Sequence, residues 1–151
     1  MSETTAATPS VTSATTGTPA GRGRRRAALV ALRVLQVLLA LFYGIASALP
    51  KLIAHPSAVE SFERIGWGDP GMYTIGALEL AGAVALLVPL LQSVAAMALS
   101  ALMVGAFVVQ LTVFDGQYAA TPLLLIVPLA LIAWARRGSN RKLLRLVRRG
   151  A

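Results

Sequence analysis

A single carboxylate, Glu79, sits inside the otherwise apolar run Met72 to Pro89, with Gly76 and Gly82 three residues to either side. A charge at bilayer depth costs roughly 3 kcal/mol or more, so such a group is usually retained because it faces a partner, a cavity or a ligand. The flanking glycines let another helix pack closely there. Three chemistries suit an intramembrane carboxylate. It can be protonated and hydrogen-bonded between helices as structural glue, it can titrate in the service of a ligand or a proton, or it can form an oligomer contact. The residue types leave all three open.

Other polar groups fall at compatible depths. At about 1.5 Å per residue, Glu79 lies about nine residues inside its helix, Gln110 about four from the outer end of the next, and Tyr43 about six from the end of the first. All three are candidates for one cavity that opens outward, with Lys51 at its rim. Each also has a plainer role: Gln110 as packing glue, Tyr43 as a helix contact, Lys51 as a snorkelling anchor. His55 before Pro56 reads as a loop residue, and Glu60, Glu63 and Asp69 as a solvated face. No spacing matches a hydrolase, a phosphate loop or a metal site. With no cysteine, the chain itself holds no disulfide, thiol redox cycle, iron–sulfur cluster or cysteine zinc site. The lone His55 rules out bis-histidine haem within one chain. No cofactor is expected to be built in.

The elements that position these groups follow from composition and periodicity. The chain is 56% hydrophobic and only 13% charged, against about 45–50% and about 25% in soluble domains. Of its 14 Lys and Arg, five lie in 22–33 and seven in 136–149, leaving Lys51 and Arg64 between. Basic residues that bracket an apolar block obey the positive-inside rule and argue against a nucleic-acid face, despite the +8 charge. The expected fold is all-α, a membrane four-helix bundle with transmembrane helices at about 27–49, 71–88, 94–114 and 121–135. Both termini are then cytoplasmic, and the protein is multi-pass in the plasma (inner) membrane.

Residues 1–21, rich in Ser, Thr, Ala, Pro and Gly, read as a disordered tail. Residues 22–135 form the membrane domain, and 136–151 a basic cytoplasmic tail suited to anionic lipid headgroups. A cleaved signal peptide competes for the first helix, because Ala46-Ser47-Ala48 resembles a cleavage site and the paired arginines a twin-arginine signal. Its length, the interruptions at Arg33 and Gln36, and the four-residue recurrence of Ala40, Gly44 and Ala48 favour a retained, packed helix. Ala58–Ile65 reads as a short amphipathic interfacial helix. Pro70 opens and Pro89 closes the second span. Ala98, Ala101 and Gly105 give the third a small-residue face, and Pro128 predicts a kink in the fourth.

Taken together, Gly44, Lys51-Leu52, Ile65-Gly66-Trp67, Gly76-x-x-Glu79-x-x-Gly82 and Pro89 make the block from about Leu32 to Trp134 resemble the DoxX-like membrane proteins. The resemblance implies a small four-helix protein of bacterial or archaeal membranes. Some relatives are subunits of quinone-linked oxidoreductases and others assemble with redox-defence enzymes. It therefore implies an accessory role with a quinone and a redox-enzyme partner, and makes Lys51 and Glu79 the functional pair. Many members carry a histidine near the position of Gln110, and its absence here departs from that pattern. The alternative is a small-solute or proton pathway that uses Glu79. An enzyme acting alone ranks below both, since no catalytic constellation is visible.

Overall fold

The computed structural model describes residues 19–138, with side chains from residue 23 onward. The tail expected at 1–21 falls largely, and that at 136–151 mostly, outside the described residues. Those residues are helical and contain no strand. The first rod comprises α1 (Pro19–Leu41), a π-helical segment (Phe42–Ala48) and α2 (Leu49–Leu52), without a break between them.

Pro50 supplies a reason for the π segment. It has no N–H, and its ring crowds the carbonyl four residues back, at Ala46. The backbone widens around this point: the Leu49 N–H donates to Gly44 O, and the His55 N–H to Pro50 O at 2.9 Å. Widening has a consequence for facing. Leu39, Tyr43, Ser47 and Lys51 follow one another at steps of four. A regular helix, at 3.6 residues per turn, would swing Lys51 about 120° off the Leu39 face over that stretch. The wider turn lags behind this rotation, so α1, the π segment and α2 all keep contact with the same neighbour, α4.

A short link leads to α3 (Pro56–Ile65), where His55 caps the N-terminus, Pro56 occupies the first turn and Gly66 ends the helix at φ 81°. Its amphipathic pattern is realised: Phe62 is buried, whereas Glu60, Glu63 and Arg64 are exposed. The helix packs on α4 (Gly68–Leu87), the central element, which also meets α5 (Gln92–Thr112). Along α4 the buried positions are Met72, Gly76, Glu79, Ala83 and Leu86, a stripe at alternating steps of four and three. Next, α5 packs against α6 (Ala120–Ala135), and the Ser93 hydroxyl donates to Ala133 O at 3.1 Å. Pro128 lies within α6 without ending it. The apolar core joins Leu39, Tyr43, Ala83, Leu86, Leu99 and Leu129 across all the long helices.

Three stretches are long and apolar enough to cross a membrane: Gly23–Leu52, Gly68–Leu87 and Gln92–Thr112. Helix α6 is shorter. Its 16 residues span about 24 Å, against about 30 Å of hydrocarbon. Between 22% and 28% of each long window is buried inside the protein. The remaining apolar side chains, such as Val30, Leu38, Ile45, Val84, Met97 and Val104, point outward. Apolar residues on outward faces suit a lipid solvent and would aggregate in water. The chain reads as a membrane protein.

Candidate functional site

Two short steps of backbone geometry bring the polar groups of helix one to α4. The four-residue spacing places Ser47 one turn before Lys51, and Gly76 lets α2 lie against α4. A Cβ at Gly76 would sit 3.0 Å from Lys51 Cβ and 3.2 Å from a Leu52 methyl. The glycine is therefore a condition of the close approach. On the same face, one turn further along α4, stands Glu79, 3% exposed.

The result is a closed triangle. Lys51 Nζ donates to Glu79 Oε2 at 2.7 Å, and the Ser47 hydroxyl donates to the same oxygen at 2.9 Å. Lys51 Nζ also donates to Ser47 Oγ at 3.1 Å and to the Ser47 carbonyl at 2.9 Å. An ammonium has three donors, and here three acceptors surround it. Both hydrogen bonds to the carboxylate fall on Oε2; none among the described residues engages Oε1. The pair is asymmetric in exposure, with side-chain accessibility of 18% for Lys51 and 4% for Glu79. Lys51 is thus the face through which the carboxylate meets its surroundings.

Physically, such a pair is held by mutual need. Each charge alone would carry a desolvation penalty of several kcal/mol, and the attraction repays it only when geometry and hydrogen bonds are good. The hydroxyl of Ser47 improves both, since it accepts from the cation and donates to the anion. What the triangle can do follows from its loose ends. Glu79 Oε1 is an unused acceptor among the described residues, and a change at Lys51 would leave the buried carboxylate without its counter-charge.

Tyr43 lies one step below Ser47 on the same row and is 0% exposed. Its hydroxyl has no hydrogen-bond partner among the described residues, and its ring stands edge-on to Phe42 at 5.7 Å. Gln110 is not joined to the triangle by any hydrogen bond; its Oε1 is buried without a partner near the far end of α5. The structure thus joins Lys51 to Glu79 and sets Tyr43 on the same row as Lys51, while no hydrogen bond links Gln110 to them.

The glycines divide by direction. Gly76 faces α2, and a Cβ on Gly44 would meet Ala83 Cβ and a Leu80 methyl at 3.9 Å, an ordinary van der Waals contact. Gly82 faces the other way, where a Cβ would come within 2.6 Å of a Leu99 methyl on α5. The Gly-x-x-Glu-x-x-Gly segment thus seats one helix on each side of α4. Gly105, expected as a packing residue, needs correction: it is exposed and a Cβ there would meet nothing within 4 Å. Its position on α5 turns away from the other helices.

Two groups were missed in the sequence. Ser47 enters the sequence reading only within the cleavage-site-like Ala46-Ser47-Ala48, although its offset of four from Lys51 marks the shared face. Gln36, 0% exposed, accepts from Arg136 Nη2 at 3.4 Å across α1 and α6. Contacts between the first and last helices leave no local mark on the chain. No group of three or more His, Cys, Asp or Glu side chains that could hold a metal occurs among the described residues.

Residues 34–135 match the DoxX-like family. No curated protein and no solved structure matches the chain.

Proposed function

The chain belongs to the DoxX-like family, and from that premise we propose that it is an accessory subunit of a membrane redox system, with the Lys51–Ser47–Glu79 triangle as its contact for a quinone. The observation that carries the reading is a buried, partly satisfied carboxylate on α4, bonded to Ser47 and Lys51, with the buried, unpartnered phenol of Tyr43 on the same row of helix one as those two residues. Two groups support it: the Tyr43 hydroxyl has no partner among the described residues and could donate to a carbonyl oxygen, and Glu79 Oε1 accepts no hydrogen bond there. A quinone, when bound, supplies reversible two-electron and two-proton chemistry. The chain's own contribution would be to orient the head through Tyr43 and to hold or release a proton at Glu79, beside the paired Lys51.

In this reading α6 completes four crossings, the arginine-rich ends lie in the cytoplasm and the membrane is the plasma (inner) membrane. The 136–138 end of the described chain and the start of helix one then face the same side, and α3 faces the other. A reporter fused after Ala151 should read as cytoplasmic; an external signal would break the four-crossing topology.

The direct test is extraction from the native membrane in lipid nanodiscs, wild type beside Glu79→Gln, with mass spectrometry on both protein and lipid-soluble fractions. Wild type should carry a stoichiometric redox enzyme and a quinone, and the Gln variant should lose the quinone while still folding. A protein that carries bulk lipid alone would overturn the reading. It would favour the second one, a proton or small-solute path through Glu79, for which the partly exposed Lys51 above a buried carboxylate is the supporting observation. Flux in liposomes, lost in Glu79→Gln, would then be its measure.

A further inference from the structure

The opposite end of the molecule carries a different arrangement. Where α1 and α6 run past each other with few contacts, they leave a groove of about 1210 Å³. Pockets for compact ligands are about 300–1,000 Å³, so this volume suits something longer. Leu29, Leu32 and Leu35 on α1, with Leu131 and Trp134 on α6, form its apolar wall. Arg25, Arg26 and Arg136 line it as well.

Two features say what should occupy it. First, the charge is uncompensated among the described residues. The described carboxylates are Glu60, Glu63, Asp69, Glu79 and Asp115, which lie in α3, in α4 and in the turn after α5, and none lines the groove. The three arginines have no acid from this region of the fold to meet them. Second, the lining residue Arg136 and the Gln36 to which it donates carry polar atoms without partners. Arg136 Nε and Gln36 Nε2 are buried and unsatisfied among the described residues, and Gln36 is fully buried. A buried donor left open is unfavourable to the fold.

We propose that this groove is a binding site for one anionic phospholipid, with an acyl chain along the leucines and the phosphate held by Arg25, Arg26 and Arg136. The occupant supplies what the region lacks, a negative charge with strong acceptors beside a long apolar body. Guanidinium groups match phosphate in a bidentate fashion. The indole of Trp134, 64% exposed, stands where aromatic rings settle, at the headgroup level. The chain's own segment 139–151 is the competing occupant, but it brings five more Lys and Arg and no acid. A second copy of the chain would likewise present arginines to arginines. A lipid also closes the seam that α1 and α6 leave open.

Trp134 offers the readout. In the Trp67→Phe background it is the sole tryptophan. The full chain is reconstituted in phosphatidylcholine vesicles that contain brominated phosphatidylglycerol or brominated phosphatidylcholine, and quenching of Trp134 is titrated. The anionic lipid should quench at a mole fraction on the order of a hundredfold lower, given about 1 kcal/mol for each of the three basic residues near a charged headgroup. Arg26→Gln/Arg136→Gln should abolish that preference. Arg24→Gln/Arg33→Gln, which removes the same charge outside the groove, should keep it. Equal quenching by both lipids would overturn the proposal. So would equal loss in the two double variants, which would show a general surface field instead of a site. Quenching that appears only after 139–151 is deleted would assign the groove to the tail and overturn it too.

Discussion

The two ends of helix one handle positive charge in opposite ways. At Lys51 one ammonium meets one carboxylate and one serine, and its donors are matched by acceptors within 3.1 Å. At Arg25, Arg26 and Arg136 three guanidinium groups face a groove without a single acid in its lining. The first end is internally closed, so its cation is part of the fold. The second is open, so its cations are available to something that comes from outside. The contrast separates residues whose loss should be felt in stability from residues whose loss should be felt in binding.

The sharpest way to break the comparison is to remove one side of the closed triangle. Lys51→Met leaves Glu79 buried without its counter-charge and should destabilise the protein by about 3–5 kcal/mol. Denaturant unfolding in mixed micelles reads the loss. Adding Glu79→Gln to Lys51→Met should restore most of it, because a neutral amide no longer needs the cation. A Lys51→Met protein that unfolds like wild type would show that the triangle is ornamental to the fold. A double variant no better than the single would place the contribution of Lys51 in its aliphatic stem.

The triangle also shows what could and could not be read from the chain. Glu79 was visible as a charge in an apolar run, and Lys51 as the cation nearest the end of helix one; that they meet depends on facing, which spacing alone leaves undetermined. The step of four in Ala40, Gly44 and Ala48 was legible as packing. Its further meaning was not: a face sustained at exact fours over this length needs a helix wider than 3.6 residues per turn, and the π segment supplies it. Gly105 shows the reverse error, since small residues signal packing only when another helix is present on that side. The all-helical composition was plain from hydropathy. The groove between α1 and α6 was not, because it joins residues about a hundred positions apart.

A smaller effect tests the approach of the helices that the triangle requires. Gly76→Ala places a Cβ 3.0 Å from Lys51 Cβ, and the resulting shift of α2 should cost about 1–3 kcal/mol. Gly105→Ala, with open space around it, should instead gain up to about 1 kcal/mol from helix propensity. The pair is informative because the chemical change is identical. If both variants gain stability, α2 yields freely and the tight fit at Gly76 does not hold the ion pair; loss of stability at both would point to a partner, such as a second copy, covering Gly105.

The smallest effect belongs to the open end, where the expectation is a null in one condition and a change in another. Arg25→Gln removes a charge that no described carboxylate meets, so unfolding in neutral detergent should shift by no more than about 0.5 kcal/mol. With phosphatidylglycerol added to the micelles, wild type should gain stability because a ligand that binds only the folded state raises its unfolding free energy. The variant should gain less. A large loss in neutral detergent would mean that Arg25 is already compensated inside the protein, and the distinction between a closed and an open end would fail. Equal gains from the anionic lipid would keep the distinction in stability but remove Arg25 from the lipid contact, leaving Arg26 and Arg136 to carry it.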